Sequence, residues 1–354
     1  MLINSNDALL DLVTINNFTV IDVIDLNNLL SKKIAIWSYQ HTQCFTISGD
    51  EYTFINIEDD ICFKKFFFGT TKYNKIKAEL VLAINDPNTH NLNCISPDEI
   101  QFKLQQIKAH LLEHYGIIVD FSNAEYKSIE INKTFSLNDC YERYARPLQL
   151  ISSNYPANLR LTHSITGQKN NRTYYSQAGK EGLKIKIYNK SFQLKKKYNI
   201  DTDKTYLRYE ITLPTKEKIK RELGTAKVNE LTQELINTFF TTFIQNNVKD
   251  AYIAYSDFAE REVKKIIKNY IYDRKKAEEI LLTLKNLEIN GKILILQLTE
   301  LNEIIDKNAK LFKSKQSRYY VKKSIKNLAD VTNSIFLNND KQLLTELFAK
   351  LTIN

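Results

Sequence analysis

The first half of the chain alternates apolar and polar residues at the period of strands, interrupted by stretches at helical period. Residues 76–84, IKAELVLAI, predict an apolar strand. Ser96 precedes Pro97, and Glu99 follows three residues after the serine: an N-cap, a first-turn proline and a capping-box acid. Ile100, Leu104, Ile107 and Leu111 then recur at helical spacing until Gly116. Further strands are predicted at 126–135, 159–166, 183–188 and 206–213, with helices at 138–151 and 189–198. After Gly224 the pattern turns helical. Val228, Leu231, Leu235, Phe239 and Phe243 mark one amphipathic helix, and Ala277, Ile280, Leu281, Leu284 and Leu287 a second, closed by Asn290-Gly291. Other helices fit 297–308, 315–329 and 340–351.

All five prolines and six of the eight glycines lie in the first 214 residues, so the turns that separate strands concentrate there. The expectation is an α+β protein. An antiparallel-sheet domain with flanking helices spans 1–224, and a mostly helical region that binds DNA or a partner spans 225–354. Residues 1–70 add little: Trp37, Phe45 and the FKKFFF run at 63–68 read as core and edge-strand packing.

Charge narrows the partners. The net charge of +9 favours a polyanion, either nucleic acid or an acidic membrane surface. No apolar run reaches the roughly 18 residues of a membrane span, and MLINSNDALLDLV, with acids and no leading basic cluster, makes a poor signal peptide. Cys44, Cys62, Cys94 and Cys140 form no C-x-x-C pair, which fits reduced, mostly buried thiols in a cytoplasm.

Three strands carry the candidate chemistry. In Lys184-Ile-Lys-Ile-Tyr-Asn-Lys190, alternation turns Ile185 and Ile187 to the core and Lys184, Lys186 and Tyr188 the other way, with Lys190 continuing that face if the strand reaches it. Residues 184–197 hold six lysines, among them Lys195, Lys196 and Lys197, and no acid. Positive charge around a tyrosine is expected to lower its pKa and favour the phenolate nucleophile, while the lysines bind a DNA backbone. In 206–213 the same alternation sets Arg208 and Glu210 on the polar side, and in 126–135 it sets Glu130 and Asn132 there. Glu130 and Glu210 are candidate oxygen ligands for Mg²⁺ or Mn²⁺. An ordinary surface strand with paired glutamates and lysines would show the same spacing.

These segments together resemble the gene-two replication initiators of filamentous phages and related plasmids. IYNK at 187–190 resembles the strand around that family's nicking tyrosine, and LRYEITL at 207–213 its Leu-x-Arg-[Phe/Tyr]-Glu strand. Lys127–Phe135 is similar to its Ser-Arg-Ile-Asp-x-x-x-x-Phe strand, AELVLAINDPNTHN at 78–91 to its early strand, and Ser317-Arg-Tyr-Tyr320 to part of its C-terminal region. The resemblance covers residues 70–225 best. It implies DNA nicking through a 5′-phosphotyrosine intermediate, with Tyr188 as nucleophile, Lys190 as its companion and Glu130 and Glu210 as metal ligands. Lys184, Lys186, Lys195–Lys197 and Arg208 would contact origin DNA. A host helicase or polymerase and a second copy of the chain are further partners it implies. Two departures stand out: Glu130 occupies the usual aspartate position, and no His-x-His is present. Tyr174 and Tyr175 are alternative or second nucleophiles.

Other readings stay open. His110-Leu-Leu-Glu-His114 matches the H-x-x-E-H zinc pattern, though without a clear third ligand, and His163 alternates with Leu159, Leu161 and Ile165 as a packed histidine would. A basic two-domain chain also suits an initiator that binds and melts origin repeats without cutting, or a DNA-binding regulator or packaging factor. Helices at 216–221 and 313–326 offer further basic faces for DNA.

Overall fold

β-branched and aromatic residues in alternation build most of the described first half of the chain. The computed structural model describes residues 7–24, 54–59, 63–70, 76–83, 94–168, 170–250, 298–331 and 340–353. In chain order the elements are β1 (Leu9–Asn16), β2 (Thr19–Val23), β3 (Phe54–Asp59), β4 (Phe63–Thr70), β5 (Ile76–Ala83), α1 (Pro97–Tyr115), β6 (Ile117–Asp120) and β7 (Glu125–Ser136). A 3₁₀ turn at Tyr141–Tyr144 leads into α2 (Ala145–Ser153), then β8 (Thr162–Thr166), β9 (Thr173–Gln177), β10 (Lys184–Asn189), α3 (Lys190–Tyr198), β11 (Tyr206–Leu213) and α4 (Lys216–Leu223). Helices α5 (Gln233–Ile244), α6 (Leu298–Lys307), α7 (Lys315–Val331) and α8 (Asp340–Leu351) follow. The class is α+β, as the sequence predicts.

The chain divides into two compact units, and not at Gly224. The first holds residues 1–136, 177–240 and 353–354; the second holds 137–176 and 241–352. Residues 225–240 stay with the first unit for a physical reason. The Asn237 side chain donates to Asp7 Oδ1 at 2.9 Å and accepts from the Ala8 amide at 3.0 Å. The Phe240 ring packs edge-on against Tyr209, with centroids 6.0 Å apart.

In the first unit the strands run in the order β3-β4-β5-β1-β7-β11-β10, and each of these neighbouring pairs is antiparallel. The FKKFFF run therefore lies in β4, paired on both sides rather than at an edge. One face is packed by Leu10, Val13, Ile15, Ile129, Ile131, Ile185, Ile187, Tyr209 and Ile211, all buried. Helix α1 has the expected capping box: Ser96 accepts from the Glu99 amide, Glu99 answers the Ser96 amide, and Gly116 closes the helix in the left-handed region. Its stripe of Ile100, Leu104, Ile107 and Leu111 is fully or almost fully buried, and the helix packs against β6.

In the second unit Glu346 of α8 joins the start of α2, accepting from the Tyr144 hydroxyl at 2.6 Å and the Asn138 amide at 3.0 Å. Asp306 of α6 pairs with Arg318 and Lys322 of α7.

Several elements depart from their predicted form. The helix predicted at 138–151 is a 3₁₀ turn at Tyr141–Tyr144 followed by α2. The strand predicted at 159–166 shortens to β8, whose residues are all exposed. Val228 and Leu231 are buried in a turn before α5 rather than on it, and Leu235 is 36% exposed. The helix predicted around 277–287, residues 84–91, Trp37, Phe45, Cys44 and Cys62 lie outside the described residues. Of the other cysteines, Cys94 is buried and Cys140 is exposed. No described helix is long and apolar enough to cross a membrane.

Candidate active site

The sheet register brings the predicted polar residues together. Lys186 of β10 lies opposite Glu210 of β11, and Tyr188 opposite Arg208. On the other side of β11, Arg208 lies opposite Thr134 and Glu210 opposite Asn132, with Glu130 two residues along the same face of β7. Carboxylate oxygens of Glu130, Glu210 and a third residue, Asp11 of β1, all lie within 4.8 Å of one another.

A β-bulge accounts for Asp11. Leu10 pairs with Ile131 and Val13 with Ile129, so Asp11 and Leu12 together oppose Glu130. The extra residue resets the alternation: Leu10, Val13 and Ile15 are fully buried, while Asp11 joins the carboxylates. A regular strand would place Leu10 and Leu12 on one face and Asp11 and Val13 on the other.

Arg208 is enclosed beneath the cluster, with no exposed surface. Its NH1 donates to Asp11 Oδ2 at 2.7 Å and its Nε to Thr134 Oγ1 at 2.7 Å, with Glu210 Oε1 4.0 Å from NH1. Removing one partner of such a buried pair leaves an uncompensated charge. Arg208 is thus a buried support for the cluster, not the DNA contact the sequence predicts. Asn132, also buried, donates to the Leu9 carbonyl at 3.2 Å and lies 3.0 Å from Cys94 Sγ.

The Tyr188 hydroxyl donates to Glu210 Oε1 at 2.6 Å. Lys186 Nζ lies 3.3 Å from Glu210 Oε2 and 4.2 Å from the centre of the Tyr188 ring. Tyr188 is only 4% exposed. Its pKa moves opposite to the expected direction: burial pushes the phenol well above its ordinary value, the Glu210 carboxylate adds to the rise, and Arg208 opposes it. The lysines of this segment do not outweigh burial.

Lys190 does not continue the strand. Asn189 caps α3, accepting from the Phe192 amide at 2.9 Å, and Lys190 is the first helical residue. Its side chain is fully buried and donates to Gln193 Oε1 at 2.9 Å. Burial, then Arg208, lowers its pKa to about 7. Lys184, Lys195, Lys196 and Lys197 are exposed. Lys195 pairs with Asp201, and Lys197 Nζ lies 4.9 Å from the Tyr198 ring centre.

The three carboxylates suit a hard divalent cation. Their donors are all oxygen, and separations up to 4.8 Å allow one ion to reach all three. The Glu130 carboxyl is raised to about 7, first by burial, then by repulsion from Glu210 and Asp11, which marks a concentration of negative charge that a cation would relieve.

The remaining candidates fall on other elements. Tyr174, in the second unit, donates to the Ala145 carbonyl at 3.0 Å, and burial raises its pKa to about 12. Tyr175 is 38% exposed. His163 is on the exposed strand β8, not an apolar face, with Nδ1 2.9 Å from Ser176 Oγ and its ring stacked near Tyr155. The His110 and His114 rings lie 4.4 Å apart on α1. No third ligand gathers with them among the described residues, where the Asp11–Glu130–Glu210 cluster alone has metal-binding spacing.

No family model matches the chain, and no curated protein matches its sequence. Among solved structures the chain is similar to a rolling circle replication initiator protein from Geobacillus stearothermophilus, with 11% identity and a TM-score of 0.32 over 68% of this chain and 85% of that one.

Proposed function

We propose that the chain is a DNA-nicking initiator of rolling-circle replication, with Tyr188 as nucleophile. The observation that carries this reading is the Tyr188 hydroxyl held on Glu210, a carboxylate shared with the Asp11–Glu130 cluster. Asp11, Glu130 and Glu210 would hold Mg²⁺ or Mn²⁺, which supplies charge stabilisation at a scissile phosphate. Tyr188 Oη attacks phosphorus as Glu210 Oε1 takes its proton. The bond from phosphorus to the 3′ oxygen breaks, and the leaving oxygen takes a proton from solvent water to become the 3′-OH primer. The 5′ phosphate stays on the tyrosine, so the phosphodiester energy is kept for rejoining. Lys186 steadies the Glu210 carboxylate and borders the ring. Arg208 holds Asp11 in place. Lys184, Lys195, Lys196 and Lys197 contact the backbone of the origin. In the DNA-free chain the phenol is stored protonated and nearly enclosed, so the substrate strand must uncover it.

That enclosure also favours a second reading, an initiator that binds and melts its origin without cutting. One experiment separates the two. Purified protein is incubated with supercoiled DNA of its replicon and Mn²⁺ or Mg²⁺. Nicking predicts relaxed circles with a protease-sensitive adduct, lost in Tyr188→Phe and kept in Tyr174→Phe. DNA that is retarded on a gel but left intact would establish the non-cutting reading and remove Tyr188 from the chemistry.

A further inference from the structure

Between Lys315 and Lys326, helix α7 turns an acid-free face to solvent. Lys315, Gln316, Tyr319, Tyr320, Lys323 and Lys326 are all exposed and recur at the spacing of a single helical face. Tyr319 is 60% exposed and Tyr320 38%, their rings edge to face with centroids 5.8 Å apart. The helix meets its own packing needs elsewhere: Val321 is buried, and Lys322 and Arg318 pair with Asp306 of α6 at 2.5 and 3.7 Å. Scattered exposed aromatics need no explanation, but two adjacent rings between lysines, with no acid from 315 to 326, form a distinct surface.

We propose that this face binds single-stranded DNA, with bases stacking on Tyr319 and Tyr320 while Lys315, Lys323 and Lys326 hold flanking phosphates. Charge complementarity selects a polyanion. The rings select an unpaired strand, because a duplex base has its faces taken by its neighbours while a single strand offers them. Along the helix, Lys315 and Lys326 are about 16 Å apart at ~1.5 Å per residue, enough for about five phosphate spacings of a stacked strand at ~3.4 Å each. The surface would extend the nicking reading by holding the unpaired strand that nicking requires, but its binding is measurable without cleavage.

The test uses the full chain in EDTA, with fluorescence anisotropy on labelled dT20 and on a mixed-sequence duplex across a salt series. Tyr319→Ala/Tyr320→Ala is expected to weaken dT20 binding about tenfold or more, to change duplex affinity less than twofold, and to leave the salt slope as it was. Lys315→Gln/Lys323→Gln/Lys326→Gln should flatten that slope by about 2. Tyr319→Phe/Tyr320→Phe should keep wild-type affinity, and circular dichroism checks that each variant is folded. Unchanged dT20 affinity in the alanine pair overturns the proposal. So does equal loss on dT20 and duplex, or a phenylalanine pair as weak as the alanine pair. Ring-dependent dT20 binding beside intact supercoiled DNA would sink only the nicking reading; nicking without ring dependence would sink only this one.

Discussion

Glu130 shows how much of the site a single position decides. Regular alternation in 126–135 suffices to set it on the polar side, and the register then carries it to Glu210. What alternation cannot reveal is the price of gathering three carboxylates. In metal-free protein the folded chain holds the Glu130 carboxyl at about 7, against about 4.3 in an unfolded chain. The sign follows from linkage: the fold prefers the neutral carboxyl, so this contribution to stability is full below about pH 4.3 and is lost as pH rises through about 7. Glu130→Gln has no such loss. Its melting temperature, relative to wild type, is expected to climb between pH 5 and pH 8 with divalent ions removed. Two proteins that keep a constant difference over that range would show that Glu130 is not held neutral. Asp11 was not legible, because a β-bulge is not written in a period of two: LLDLVTI reads as an apolar run with one stray acid. Alternation sets Arg208 on the polar strand face but does not reveal that it is fully buried. A face opposite the core reads as solvent, whereas Tyr206–Ile211 of β11 are buried on both sides.

Among the elements, those with strong local signals came through. The capping box fixes α1, β11 occupies the predicted 206–213, and α3 begins one residue after its predicted start. Elsewhere the elements shifted: the 138–151 segment begins as a 3₁₀ turn, and 159–166 lost its apolar face to exposure. Whether Lys190 sits on a strand or a helix turns on Asn189, whose side chain closes β10 and opens α3 in one residue. Breaking that cap exposes an amide without a partner. Asn189→Ala is expected to lower stability by about 1 kcal/mol, while Asn189→Asp, which keeps an acceptor oxygen, should stay near wild type. Urea denaturation resolves a difference of this size. Equal stabilities for the alanine variant and wild type would mean that α3 is held by Leu194 packing alone.

At the scale of the molecule, the boundary read at Gly224 differs from the compact units because punctuation counts turns, whereas compact units follow contacts. Segment 137–176 lies between strands of the first unit in sequence yet belongs to the second, and nothing in its composition announces this. The distribution of charge has a consequence for the proposed function. The excess of 50 basic over 41 acidic side chains is spread through the chain, while the oxygen ligands gather at one point on the sheet. Binding of DNA should therefore depend on salt, and cutting on a divalent ion, through separate groups. Exhaustive chelation is expected to abolish nicking of supercoiled replicon DNA while leaving gel retention of that DNA nearly unchanged. Doubling the salt should weaken retention severalfold, since each phosphate contact releases a counterion. Readdition of Mn²⁺ should restore nicking in wild type and not in Glu210→Gln. Nicking that persists after chelation would free the reaction from the carboxylate cluster, leaving those three side chains a structural role. Retention lost in step with nicking would instead make the ion part of DNA binding, because a cation on the cluster would then be the bridge between the sheet and the phosphate.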